Sequence, residues 1–223
     1  MGDVFGTVFN QMLNSQKELN DEIFSDWLAT LNKTNYMAAV LVELGEAISS
    51  LDYKWWKAGT NDWENFKVEL VDILHFLLSS LWFENEVQRA DACYFFKKGL
   101  ADRTIRPTEL SDEEKIKIIE ENSLKLLKVD NVIAFLYLGK LFRTINITEL
   151  KSLAREFLVK NVLNLFRTRN GYKEGTYIKN WNGKEDNVIA YQLAKELTFN
   201  KYFTKNLYKQ LEQYYEKYVR DNF

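Results

Sequence analysis

What most restricts this chain is its shortage of residues that interrupt a helix: 9 glycines and 1 proline in 223 residues. A sandwich or barrel needs a turn signal roughly every 8–12 residues, and a parallel α/β sheet needs strand runs between its helices. Neither pattern occurs. Apolar residues recur instead at three- and four-residue spacing over nearly the whole length. Val40, Leu44, Ile48 and Leu51 share one face of a helix near residues 35–51. Phe66, Leu70, Ile73, Leu77 and Leu81 do the same over residues 62–83. Asn61 with Glu64, and Ser111 with Glu114, have the spacing of capping boxes. Asn146 or Thr148 is placed to cap a helix running to Arg167, and Gly59 to end one carrying Trp55 and Trp56, with Trp55 in the core. The fold class is all-α.

Composition removes several function classes. With one cysteine, Cys93, and one histidine, His75, the chain can build neither a disulfide framework nor a zinc cluster, so any metal must be held by oxygen. The balance of 30 basic against 32 acidic residues, a net charge of −2, argues against a nucleic-acid binder. No stretch approaches the roughly 20 apolar residues of a membrane span, and the first residues lack the basic start and apolar run of a signal peptide. The expectation is a soluble, intracellular, cytoplasmic protein.

No linker, low-complexity tract or repeat divides the sequence, so residues 1–223 read as one domain. The stretch of about 84–145 could form a separate, smaller helical lobe. One segment departs from helical spacing. Thr168–Asn187 contains Gly171, Gly175 and Gly183, and two Asn-Gly pairs. From Lys160 to Lys184 the chain has six basic residues (Lys160, Arg167, Arg169, Lys173, Lys179 and Lys184) against one acid, Glu174. A connection of that length in a compact fold is usually functional or disordered, and Tyr172, Tyr177 and Trp181 argue against disorder.

Two acidic dyads carry the chemistry. Glu43 and Glu46 are three residues apart, as are Glu69 and Asp72, so each pair shares a helix face. Both are set among apolar residues. Two carboxylates about 4 Å apart repel by roughly 4 kcal/mol at an effective dielectric near 20. Converging acids therefore protonate, separate or bind a cation, and Mg²⁺ favours carboxylate oxygens together with phosphates. The plainer reading, acids decorating solvated helix faces, suits either dyad alone. Two dyads on neighbouring helices, with a basic Gly-rich segment downstream, form the layout that phosphoryl chemistry needs.

These residues resemble the dimeric all-α dUTPases of some bacteria, phages and trypanosomatids, within the all-α NTP pyrophosphatase superfamily. Three blocks carry the likeness: Gln16 to Glu22; Glu43 through Lys54-Trp55-Trp56-Lys57 to Phe76; and Lys160 through Arg167 to the run Trp181-Asn182-Gly183-Lys184-Glu185-Asp186-Asn187. The resemblance implies Mg²⁺-dependent hydrolysis of dUTP, and of dUDP, to dUMP by attack of water on the β-phosphorus, in a homodimer without nucleic-acid or membrane partners. Glu43, Glu46, Glu69 and Asp72 would hold two or more Mg²⁺ ions, for which Mn²⁺ can substitute. Glu46 would act as the general base.

By the same likeness, Gln16 and Asn20 read the uracil, although a flipped amide pairs equally well with cytosine. His75 lies near the deoxyribose, as a contact and not a metal ligand, and Trp56 helps close the nucleotide site. Lys160, Asn164, Arg167, Tyr172, Lys179 and Asn187 bind phosphate or shape a closing loop. Rival readings are a relative acting on dCTP, a catalytically silent nucleotide-binding protein, and a ligand-free helical bundle.

Overall fold

The computed structural model describes residues 4–218, which form ten α-helices and one two-stranded ribbon. The all-α class follows from helices covering most of the chain. The described residues fall into two compact units. One contains the chain up to Asn14 and Asp26–Ala154; the other contains Ser15–Ser25 and Arg155 onward. No helix among the described residues is long and apolar enough to cross a membrane.

In the first unit, α1 (Val4–Ile23) contributes its N-terminal part, followed by α2 (Trp27–Thr30), α3 (Lys33–Ser49) and α4 (Trp63–Ser80). Then come α5 (Glu86–Leu100), α6 (Asp112–Lys128) and α7 (Asn131–Thr144). Val40, Leu44 and Ala47 of α3 are fully or almost fully buried, as are Phe66, Leu70, Ile73 and Leu77 of α4. Apart from Ala47 these belong to the apolar stripes read from the spacing, of which Ile48 is only half-buried, and α3 packs on α4. At the α5–α7 crossing, Gly99 and Gly139 let the two backbones approach: a Cβ on Gly99 would lie 2.2 Å from the Leu136 carbonyl oxygen. Phe96 and Phe135 fill the space beside this crossing, edge to face at 5.8 Å.

The helix starts confirm the capping logic with one shift. Ser111 and Glu114 form the expected reciprocal box at α6. At α4 the cap is Asp62, not Asn61: Asp62 accepts from Asn65 N–H. Asn61 instead accepts from Asp52 N–H at 2.8 Å, and Glu64 pairs with Lys67. The helix expected to carry Trp55 and Trp56 does not form; residues 52–62 are turns and irregular backbone. Trp55 is 91% exposed, which overturns its placement in the core. Without a helix to carry it onto the buried stripe, the Trp55 indole lies in solvent.

The second unit holds the rest of α1, most of α8 (Leu150–Arg169), a ribbon of β1 (Asn180–Trp181) and β2 (Lys184–Glu185), α9 (Asp186–Lys195) and α10 (Phe203–Tyr218). Helix α8 starts just after the expected caps; Asn146 lies in the loop before it at φ 65°. Thr168 and Arg169 belong to α8, so the irregular segment is shorter than its composition suggests. Asn182 and Gly183, at φ 51° and 79°, make the two-residue turn that the Asn-Gly pair favours. Of the aromatics of this segment Trp181 is fully buried and is core, meeting Phe166 of α8 at 5.6 Å, whereas Tyr177 is half-buried and Tyr172 is exposed.

Candidate active site

The α3–α4 pairing in the first unit decides where the acids lie. Glu43 falls beside the buried stripe of α3, and Glu69 and Asp72 beside that of α4, all three half-buried. Oxygens of Glu43, Glu69 and Asp72 lie within 4.8 Å of one another. Burial pushes the Glu43 carboxyl up to about 7, aided by the charges of Asp72, Glu46 and Glu69 and by a hydrogen bond with Glu69. Glu46, one turn beyond Glu43, is exposed and stands outside the three-carboxylate group, while still acting on Glu43 through its charge. Three close hard-oxygen donors, one held partly protonated for want of a counter-charge, fit a divalent cation.

His75 is buried one turn after Asp72, and its Nδ1 donates to the Val71 carbonyl at 2.7 Å. That bond fixes the ring against its own helix. Trp56 is 61% exposed on the loop after α3, where it borders a surface hollow with Trp55, Lys54 and Lys57. Trp63, the first residue of α4, faces α6, its Nε1 donating to Asp112 at 3.4 Å.

The second unit contains the remaining expected residues. Gln16 and Asn20, a turn apart on α1, are 4% and 7% exposed, and Gln16 Nε2 donates to Asn20 Oδ1 at 2.9 Å. Lys160 is buried on α8. Arg167 donates from Nε and Nη2 to the two oxygens of Asp186, both at 2.8 Å, and from Nη1 to Asn164 at 3.3 Å. Burial alone would lower the Arg167 pKa, but Asp186, helped by Tyr177 and Tyr172, holds it above its ordinary value. Tyr172 lies under two cations, Arg167 at 5.8 Å and Lys179 at 5.2 Å from its ring. Asn187 is the second residue of α9, its N–H donating to Asp186 Oδ1. A cavity of about 540 Å³ opens on the next turn of α1 after Asn20, lined by Ile23, Phe24, Thr168, Tyr172 and Lys173.

The family model described as dUTPase matches residues 8–172. The chain belongs to the all-α dUTPase family. It is therefore a dUTP-hydrolysing enzyme, a dUTP diphosphatase acting on a small-molecule nucleotide. The match contains both dyads, Gln16 and Asn20, and Lys160 through Tyr172, whereas Lys179 and Asn187 lie beyond it. No curated protein matches the chain.

Three residues of this dUTPase were missed in the sequence. Asp186 lies at the end of the most distinctive motif, yet only the fold reveals that it is a buried partner for Arg167. Tyr177, whose hydroxyl donates to Asp186 at 2.8 Å, reads as one aromatic among several. Asn161 contacts Gln16 across 145 positions of sequence, a separation no local pattern reports.

Proposed function

We propose that this dUTPase requires Mg²⁺, accepts dUDP as well as dUTP, and works as a homodimer in which residues 1–223 serve as one catalytic domain. The observation that carries the metal requirement is the three-carboxylate group of Glu43, Glu69 and Asp72 on α3 and α4. These residues, with Glu46, would hold the cation. A divalent cation there supplies charge neutralisation for the polyphosphate and lowers the pKa of water. Glu46, the most exposed of the four acids, accepts a proton from the attacking water. The oxygen of that water bonds to the β-phosphorus, and dUMP departs with the bridging oxygen, leaving pyrophosphate from dUTP or phosphate from dUDP.

Gln16 and Asn20 hydrogen-bond the uracil, and His75 and Trp56 contact the nucleoside. Lys160, Asn164, Tyr172, Lys179 and Asn187 take the phosphates or shape the loop that excludes water. Arg167 contributes positive potential while its fork is engaged by Asp186.

Product analysis by ion-exchange chromatography tests this reading, using Mg²⁺ with dUTP, dUDP, dCTP and UTP beside a Glu46→Gln variant. The expected result is dUMP from dUTP and dUDP, little turnover of dCTP or UTP, and loss of activity in the variant. Full turnover in EDTA would remove the metal from the reaction. Equal turnover of dCTP and dUTP would remove the base selectivity.

A further inference from the structure

Three buried amides in the second unit form a chain with a direction. Asn161 Nδ2 lies 3.4 Å from the Ser15 carbonyl oxygen and 3.3 Å from Gln16 Oε1. Gln16 Nε2 in turn lies 2.9 Å from Asn20 Oδ1. Asn161, at 6% exposure, is as secluded as the two residues it supports.

A primary amide donates only from nitrogen and accepts only at oxygen, so a partner with a single role determines which way it faces. The Ser15 carbonyl is such a partner, because it can only accept. It turns the nitrogen of Asn161 toward α1. That nitrogen turns the oxygen of Gln16 inward and its nitrogen toward Asn20. Asn20 offers its oxygen to Gln16, and the arm on its other side is the donor Nδ2. Flipping any one member would set N–H against N–H, or oxygen against oxygen, among side chains no more than 7% exposed.

We propose that Asn161 is a positioning residue that fixes the amide polarity of Gln16 and Asn20, and so selects a pyrimidine with an oxygen at C4 over one with an amino group. The inference rests on Gln16 and Asn20 being the base readers. A base read by one of the two Nδ2 hydrogens meets it through uracil O4 as acceptor to donor, or through the cytosine 4-amino group as donor to donor. Amides able to turn would accept either base. Asn161 does this without touching the base, by carrying the direction of a backbone carbonyl through two side chains.

The test is the ratio of kcat/KM for dUTP to that for dCTP in the wild type, Asn161→Leu, Asn161→Asp and Gln16→Leu, with melting temperatures measured alongside. Asn161→Leu removes the donor and should lower the ratio by about tenfold, the worth of one good neutral hydrogen bond. Asn161→Asp, nearly isosteric, puts an acceptor where the donor stood and should lower the ratio further by favouring the flipped pair. It also serves if the leucine variant does not fold. Ratios within twofold of wild type in the folded Asn161 variants, whatever their overall rates, would overturn the proposal. If Gln16→Leu changes the ratio while the Asn161 variants do not, base reading stands and only this inference falls. If Gln16→Leu also leaves it unchanged, the base-reading assignment itself is wrong.

Discussion

Asp186 grips Arg167 with both carboxylate oxygens, Oδ2 accepting from Nε and Oδ1 from Nη2, each at 2.8 Å. The same carboxylate accepts from the Tyr177 hydroxyl and from Asn187 N–H, also at 2.8 Å. With Asp186 1% exposed, the last basic turn of α8 is tied to the first residue of α9, and the ribbon between them is closed into a bounded excursion. Much of the Arg167 charge is met inside the protein. The cationic character of the segment then rests mainly on its lysines.

Breaking this pair from one side should be expensive. Asp186→Ala leaves a guanidinium buried without its counter-charge and removes the acceptor of Tyr177, so the expected loss is about 3–5 kcal/mol. Asp186→Asn keeps one acceptor and should fall between the two. Urea denaturation midpoints for the three proteins check this, and a loss below about 1 kcal/mol for the alanine variant would mean that solvent replaces the pair.

The Glu43 carboxyl gives a pH signature with a definite sign. Its pKa in the fold is about 7 against an ordinary value of 4.5. The folded chain therefore holds a proton that the unfolded chain releases. The stabilisation from this group is complete below about pH 4.5 and is lost as pH rises through 7, so cation-free protein should owe more stability to Glu43 at pH 5 than at pH 8. A cation needs the ionised form. Mg²⁺ binding at pH 6.5 should release protons, seen by calorimetry in buffers of different ionisation enthalpy, and its affinity should rise until pH exceeds 7. In Glu43→Gln the proton release should vanish. Equal heats in all buffers for the wild type would contradict the assignment.

The helices and the acids were legible in sequence because both depend on short-range spacing. The stripes of α3 and α4 follow from residues three and four apart, and the same arithmetic sets Glu69 and Asp72 on one face. It could not tell that Leu41 and Val42, apolar neighbours of Glu43, are 55% and 57% exposed, since that depends on which side of α3 a partner helix covers. Trp55 was misplaced for the same reason: hydrophobicity predicts burial only when backbone and neighbours supply an inside. Arg167 reads from sequence as a phosphate ligand because positive charge is visible there. Its buried partner is not, because pairing across 19 residues and a ribbon is a tertiary fact.

Glu46 separates chemistry from stability. It is exposed on α3, so Glu46→Gln should leave the melting temperature within about a degree of wild type. As the proposed proton acceptor, Glu46 when replaced by Gln should lower kcat by about 10²–10⁴ with little change in KM. Steady-state kinetics on dUTP checks this. A loss of less than tenfold would move the base role to another group.

Two glycines in helices should respond to alanine in opposite ways. At Gly139 a Cβ would lie 2.8 Å from the Phe96 carbonyl oxygen and 2.9 Å from Leu100 N, both backbone atoms of α5 that cannot rotate aside. Overpacking of this kind costs about 1–3 kcal/mol, which exceeds the gain of up to about 1 kcal/mol from replacing glycine within a helix. Gly139→Ala should therefore destabilise the protein by about 1–2 kcal/mol. At Gly45, in the middle of α3, no atom beyond its chain neighbours and its own helix backbone lies within 4 Å of the added Cβ, so only the helix-propensity gain remains. Gly45→Ala should stabilise by about 0.5–1 kcal/mol. Denaturant titration of both variants checks the contrast. Destabilisation by Gly45→Ala of the size expected at Gly139 would mean that the exposed face of α3 is packed against another chain.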